Sequence, residues 1–485
     1  MKFRTEHDLL GEREVPASCY YGIQTLRAIE NFQITGIPLA KYHSMVQALA
    51  YIKKAAACTN SQLGELPTGI TEAICEACDD VIAGEYDDQF VVDMIQGGAG
   101  TSSNMNANEV IANVALAKLG YGKGRYDIIH PNTHVNMSQS TNDVYPTAIH
   151  LALLVEIVGL EEAMRYLYDA IENKAIELRD VITMGRTQLQ DAVPMTLRQE
   201  FDAFAVMLKE DINLLAKTKK SLREVNLGGT AIGTGVNAHP EYSALAILNL
   251  CRFAGFDVEA SSDLIAATSD TGCYVQLSSV LKRAAVKLSK MCNDLRLLSS
   301  GPRCGFDEIH LPAMAPGSTI MPGKVNPVIP EVVNQVAYYV IGNDVTVTFA
   351  AEAGQLQLNA MEPIIAFSLF NSITYLKNAC LTLADRCIKG ITANQDQCRK
   401  NTENSIGSVT ALCSYIGYEK ATEIASEALE SGKSVHDLAL EKGYLSEEVL
   451  LGALAPENML RPQTKVKIPR GNSANIAYHS HDDAL

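Results

Sequence analysis

Apolar residues in the middle of the chain recur every third or fourth position rather than every second. From Leu277, the residues Leu277, Leu281, Ala284, Leu288, Met291, Leu295 and Leu298 keep one apolar stripe, with Lys282, Arg283, Lys287 and Lys290 off it. That period predicts a long helix packed in a bundle. Comparable patterns predict helices from about Pro146 to Arg179, Pro194 to Glu224, Pro327 to Glu352 and Glu362 to Ile388. Several open at or near a proline, whose fixed φ and missing N–H suit a first helical turn. Helices of about thirty residues span roughly 45 Å. Their exposed stripes need neighbours, so the pattern predicts an obligate oligomer.

Three segments follow from this reading. Residues 1–142 form a mixed, mostly helical domain carrying Pro16, Gly22, Gly36, Pro38 and a glycine cluster at Gly97, Gly98 and Gly100. Residues 143–390 form the central helical bundle. Residues 391–485 form a small helical domain ending in a polar tail, whose His479 and His481 could bind a metal but read as an ordinary terminal segment.

Composition narrows the class. Hydrophobic residues make up 47% and charged residues 20%, which is globular rather than disordered. The formal net charge of −16 argues against a nucleic-acid partner. It also requires that an anionic substrate be held by local cations and N–H donors, since the global field opposes it. The first residues, Met1 to Asp8, are charged where a signal peptide would be apolar, and the apolar stretch Val336 to Phe349 is broken by Gly342, Asn343 and Asp344. The expectation is a cytoplasmic protein without a membrane partner. Cys75 and Cys78 form a lone C-x-x-C with neither a second pair nor a neighbouring histidine, which reads as helix packing with reduced thiols throughout. No metal-ligand cluster stands out.

Chemistry concentrates in the run Gly317-Ser318-Thr319-Ile320-Met321-Pro322-Gly323-Lys324-Val325-Asn326-Pro327. Its glycines and prolines predict a tightly bent, mobile loop. Ser318, Lys324 and Asn326 place a hydroxyl, a fixed cation and an amide on it, groups able to take a proton and hold a carboxylate. Further polar clusters occur at Gly98-Ala99-Gly100-Thr101-Ser102, Gln139-Ser140-Thr141-Asn142-Asp143 and Gly185-Arg186-Thr187-Gln188-Leu189-Gln190-Asp191. Each is expected where a long helix begins or ends. Taken singly, Ser140 and Asn142 read as helix N-caps; together with the loop they read as a cradle for a small dicarboxylate. The glycine-dense Gly228–Gly235 fits neither nucleotide-binding fingerprint.

These four motifs, with Tyr21 to Ala28, resemble in order the signatures of the aspartase/fumarase superfamily, and the resemblance covers nearly the whole chain. It implies a mainly α, three-domain fold whose central helices assemble in a homotetramer around a twenty-helix core, with each active site shared by three subunits. It implies Ser318 as the general base, taking a proton from the carbon beside the distal carboxylate to give an aci-carboxylate. Thr101, Ser140, Thr141 and Thr319 would stabilise that dianion. Thr187, Lys324 and Asn326 would hold the other carboxylate, and Asn142 with Thr101 would face the leaving group. No cofactor is implied. Some members use an activating divalent cation at a second site, which these residues neither support nor exclude. His130, Asn132 and Thr133 overlap a carboxylate-binding region of fumarases, and equally form a plain turn around Pro131.

Thr141, Gln188 and Asn104 to Glu109 resemble the aspartase branch. A histidine at position 188 could pair with Glu331 and manage a water leaving group; Gln188 cannot titrate and suits an ammonium that arrives already protonated. The branch implies reversible elimination of ammonium from L-aspartate to fumarate. A class II fumarase and a non-catalytic structural relative are the alternatives. Thr319, where the family has serine, adds a methyl at a crowded turn, and Arg198 stands where glycine is commoner and must point outward if that face packs closely.

Overall fold

The computed structural model describes residues 2–460, so the histidines of the tail lie outside the described residues. The chain is mainly helical, and its described strands pair only two at a time. Five helices dominate: Thr141–Glu177, Leu197–Thr218, Gly272–Leu298, Val328–Glu352 and Glu362–Arg386. In Gly272–Leu298 the expected stripe is buried from Leu277 to Leu295, no member being more than 4% exposed, while Leu298 is half-buried at the helix end. Three of the four basic residues off the stripe reach carboxylates on neighbouring helices, Lys282 to Asp344 at 2.5 Å and Arg283 and Lys287 to Glu210 at 2.9 Å each, while Lys290 pairs with Asp294 on its own helix.

Two expected helix starts are wrong, and both errors come from reading proline as a first-turn residue. The first long helix begins at Thr141, leaving Pro146 inside it. Proline has no N–H for the carbonyl four residues earlier, that of Asn142. The side-chain amide of Asn226 supplies the missing donor at 2.9 Å, so the helix tolerates the proline. Pro194 lies in the strand Gln190–Thr196, and its helix starts only at Leu197. That strand pairs antiparallel with Ile182–Thr187, so the Gly185–Asp191 motif is a β-hairpin and not a helix end.

The chain divides into two compact units, one of Met1–Ala170, Ala205–Asp294 and Ala313–Lys389, the other of Ile171–Phe204, Leu295–Pro312 and Gly390–Leu485. In the first, the helices His43–Gln62 and Thr68–Ile82 form a hairpin beside Thr101–Lys118, which is buried on every side from Ser103 to Leu116. In the second, short helices close over a small core of Leu412, Ile424, Leu438 and Leu450. Two helices, Thr141–Glu177 and Glu362–Gly390, contain stretches long and apolar enough to cross a membrane, which the reading of apolar runs did not anticipate; 78% of that stretch in the first is buried within the fold, as in a core helix.

Candidate active site

The loop from Gly317 to Pro327 is held by few bonds. The Gly317 N–H donates to the Lys324 carbonyl at 2.7 Å, and the Asn326 side chain donates to the Gly317 carbonyl at 2.8 Å. A Cβ at Gly317 would sit 2.6 Å from the Lys324 carbonyl oxygen, so only glycine lets the two ends meet. Gly323, at φ +83°, makes the turn between them. Ser318 is half-buried, and its Oγ accepts the N–H groups of Ile320 at 3.2 Å and Met321 at 2.8 Å. Donors to that oxygen favour its anionic form. Lys324 and Thr319 are exposed, and neither side chain has a partner among the described residues. Glu331, in the first turn of the following helix, is half-buried and likewise without a side-chain partner.

A second cluster is built where two helices start together. Gly98, Ala99 and Gly100 all have positive φ and turn the chain into the helix that opens at Thr101. Gly100 must be glycine, because a Cβ would lie 2.3 Å from the ring of Tyr145. Its helix start carries no side-chain cap at Gly100, and Thr101 Oγ1 donates back to the Gly98 carbonyl at 2.6 Å. At the other helix start, Ser140 and Asp143 cap reciprocally: Ser140 Oγ accepts the Asn142 N–H at 3.2 Å, and Asp143 Oδ1 accepts the Ser140 N–H at 2.9 Å. The cap reading of Ser140 therefore holds, and it leaves the hydroxyl proton free to donate. Asn104 Nδ2 donates to Thr141 Oγ1 at 3.1 Å, tying the two helix starts together and again leaving a hydroxyl proton available. Asn142 Nδ2 donates to the Ala231 carbonyl at 2.7 Å, leaving its oxygen and one N–H to offer a ligand.

Two residues beneath this cluster escaped the sequence reading. Asp143 is fully buried and accepts three backbone N–H groups, from Ser140, Gly228 and Thr230. The glycine-dense segment thus wraps a carboxylate of its own chain. Burial pushes Asp143 up to about 6, against those donors and the charge of Lys53. Lys53, 0% exposed, donates to Asn136 Oδ1 at 2.8 Å and Gln139 Oε1 at 2.9 Å. Asn136 Oδ1 also accepts from Asn104 and Asn108, at 3.2 and 3.1 Å. Burial brings Lys53 down to about 7, opposed by Asp143 and Cys78. A lysine inside an apolar helical face, Ala48 to Ala57, was the available signal.

No hydrogen bond or ion pair joins the loop at 317–327 to the Thr101–Thr141 cluster among the described residues of this unit. Thr187 and Gln188 belong to the other unit, exposed at the tip of the hairpin. Gln188 and Leu189 both have positive φ, at 54° and 61°, the geometry of a two-residue hairpin turn that glycine and asparagine usually supply. The hairpin is anchored by Arg186, which forks onto the buried Glu308 at 2.6 and 3.1 Å and stacks on Phe306. Arg198 points outward and pairs with Asp202 at 3.2 Å. His130 Nδ1 accepts the N–H groups of Asn132 and Thr133, closing the turn at Pro131. No group of three metal-binding side chains occurs among the described residues.

The helix-start donors, the serine that accepts two N–H groups and the exposed lysine are the groups named by the sequence motifs, and the class of protein follows from comparison of nearly the whole chain with known proteins. A family model described as "Lyase" matches residues 11–342, and one described as "Fumarase C C-terminus" matches residues 409–461. The chain belongs to this lyase family, that of the aspartases and class II fumarases. It is 59% identical over 462 residues to an aspartate ammonia-lyase of Pseudomonas canavaninivorans, with 95% of this chain and 98% of that protein covered. It is 52% identical over 465 residues to the aspartate ammonia-lyase of Escherichia coli strain K12, covering 96% and 97%. Among solved structures, a fumarate lyase:delta crystallin from Brucella melitensis bound to cobalt superposes with a TM-score of 0.93 at 55% identity, covering 95% of this chain and 100% of that one. A class II fumarase from Schistosoma mansoni superposes with a TM-score of 0.91 at 32% identity, covering 96% and 100%.

Proposed function

We propose that this chain is an aspartate ammonia-lyase, a carbon–nitrogen lyase that reversibly eliminates ammonium from L-aspartate to give fumarate. The observation that carries the reading is 52–59% identity, over at least 95% of the chain, to proteins of that name. Similarity to the Schistosoma fumarase is far lower, at 32%.

Ser318 is the base in this proposal. A serine anion near neutral pH needs about 1.36 kcal/mol of differential stabilisation per unit of pKa depression. The N–H groups of Ile320 and Met321, already on its Oγ, supply part of that, and Lys324 supplies positive charge when the loop closes. Proton loss beside the distal carboxylate spreads charge into that group, and the free hydroxyl protons of Ser140 and Thr141, with Thr101 and Thr319, meet it. Such donors bind the dianion more strongly than the ground state. Thr187, Lys324 and Asn326 hold the second carboxylate. The oxygens of Asn142 and Gln188 accept from the substrate's ammonium group, which leaves as ammonia with the C–N bonding pair, needs no acid, and takes up a proton afterwards.

The loop and the Thr101–Thr141 cluster share no bond among the described residues, which supports a site completed by other copies. The exposed Val332, Tyr338, Val345 and Phe349 on one long helix support burial in a homotetramer with a twenty-helix core. The three-segment division at 142 and 390, and a cytoplasmic location, belong to the same proposal. The test is fumarate with and without ammonium, with products identified. Aspartate formed only with ammonium is expected. Malate in both would make the chain a fumarase, and no turnover in either would make it a structural relative.

A further inference from the structure

The sequence pairs Cys75 with Cys78, but the fold pairs it with Cys58. Cys58 on the helix His43–Gln62 meets Cys75 on Thr68–Ile82 with their Sγ atoms 3.3 Å apart. Both thiols are half-buried, whereas Cys78 is buried and its thiol is pushed up by burial. The two sulfurs differ in character. The hydrogen bond shared with Cys75, with positive charge from Lys54 and Arg252 outweighing burial and Asp79, holds Cys58 below the ordinary thiol range. The same contact and burial push Cys75 up. A reactive thiolate beside a resolving thiol is the arrangement of a redox-sensitive pair.

We propose that Cys58 and Cys75 form a dithiol that hydrogen peroxide oxidises to a disulfide. The Cys58 thiolate attacks one peroxide oxygen; an S–O bond forms, the O–O bond breaks, and the departing hydroxide takes a proton to become water. Cys75 then loses its proton and attacks the sulfenic sulfur; the S–S bond forms and the S–O bond breaks, releasing a second water. Two thiols are oxidised and one peroxide is reduced. Closure needs the sulfurs to approach from 3.3 Å to about 2.05 Å. Two residues along, Asn60 donates to the Met137 carbonyl at 3.0 Å and accepts from Ser138 Oγ at 2.8 Å. The bond would therefore staple the helix that supports the Ser138–Asp143 segment.

Hydrogen peroxide titration of the full-length protein, with alkylation and mass mapping under non-reducing conditions, tests this. The exposed Cys304 is the internal reference. Expected is a peptide pair joined through Cys58 and Cys75, two hydrogens lighter than the free peptides, reversed by a thiol reductant and absent in Cys58→Ser. Over-oxidation of Cys58 while Cys75 stays alkylatable would overturn the proposal, as would a Cys75–Cys78 bond. So would both thiols remaining free after Cys304 has been consumed.

Discussion

The segment Ser140–Asp143 and the loop Gly317–Pro327 carry chemistry of the same kind and are built in opposite ways. The first is a capped helix start over a buried carboxylate, a buried lysine and three interlocking amides. Its side chains have little freedom left. The second is an exposed turn closed by a few bonds, with its lysine unattached. A preorganised half lowers the entropic cost of binding, while a loose half can admit substrate and then deliver a base. The division predicts that lesions in the loop abolish chemistry and spare the fold, whereas lesions beneath the helix start affect both.

The largest effect should come from Ser318→Ala. Loss of a positioned base is expected to lower kcat on the order of 10³-fold. Only two N–H groups lose an acceptor, on an exposed turn where water replaces it, so thermal unfolding should move little. Progress curves with and without ammonium, run beside a melting curve, make the comparison. A variant that keeps its turnover would remove Ser318 from the mechanism.

Lys53→Met should do the reverse. Gln139 Oε1 loses a donor it cannot replace with water easily, a destabilisation of about 1–3 kcal/mol. KM should rise on the order of tenfold through misplacement of Ser140 and Thr141, with kcat less affected. Retention of both KM and stability would show that the amides hold the segment without the lysine.

The sign of the pH dependence sharpens this. Lys53 titrates at about 7 when folded, below its ordinary 10.5, so between those values the unfolded chain binds more protons and stability rises with pH. Asp143 titrates at about 6, above its ordinary 3.8, so its contribution is fully present below 3.8 and is lost as pH rises through 6. The window above 7 therefore belongs to Lys53. Urea unfolding at increasing pH from 7 to 8.5 should show the gap between wild type and Lys53→Met widening by up to about 1.4 kcal/mol per pH unit. A constant gap would mean that Lys53 stays charged in the folded protein across the whole range.

The same contrast explains what could be read from the chain alone. The bend of the loop was legible because it lies in local residue types: Gly317 permits the close approach and Gly323 the turn that present Ser318 and Lys324, the groups proposed to act. The long helices were legible because burial repeats with their period. Asp143 and Lys53 were opaque, since their meaning lies in partners at positions 136, 139, 228 and 230 that no local pattern connects. Pro146 misled for the same reason, its lost bond being compensated by the distant Asn226. The hairpin at Thr187 was hidden because Gln188 and Leu189 hold a turn that asparagine or glycine would have announced.

The smallest effect should come from Thr319→Ser, which restores the residue usual in the family. Thr319 is exposed and its side chain has no partner, so removing one methyl should change stability by less than about 0.5 kcal/mol. If the methyl only brushes solvent in the open loop, kcat/KM should also stay within about threefold, roughly 0.65 kcal/mol. A larger rise would mean that the methyl is crowded once the loop has closed, against surroundings that the open loop does not present. That outcome would extend the contrast between the two regions: the helix start would have one arrangement, and the loop a second, tighter one reached only with substrate bound. Saturation kinetics separate the cases, because crowding confined to closure lowers kcat in the threonine form while leaving the initial encounter unchanged.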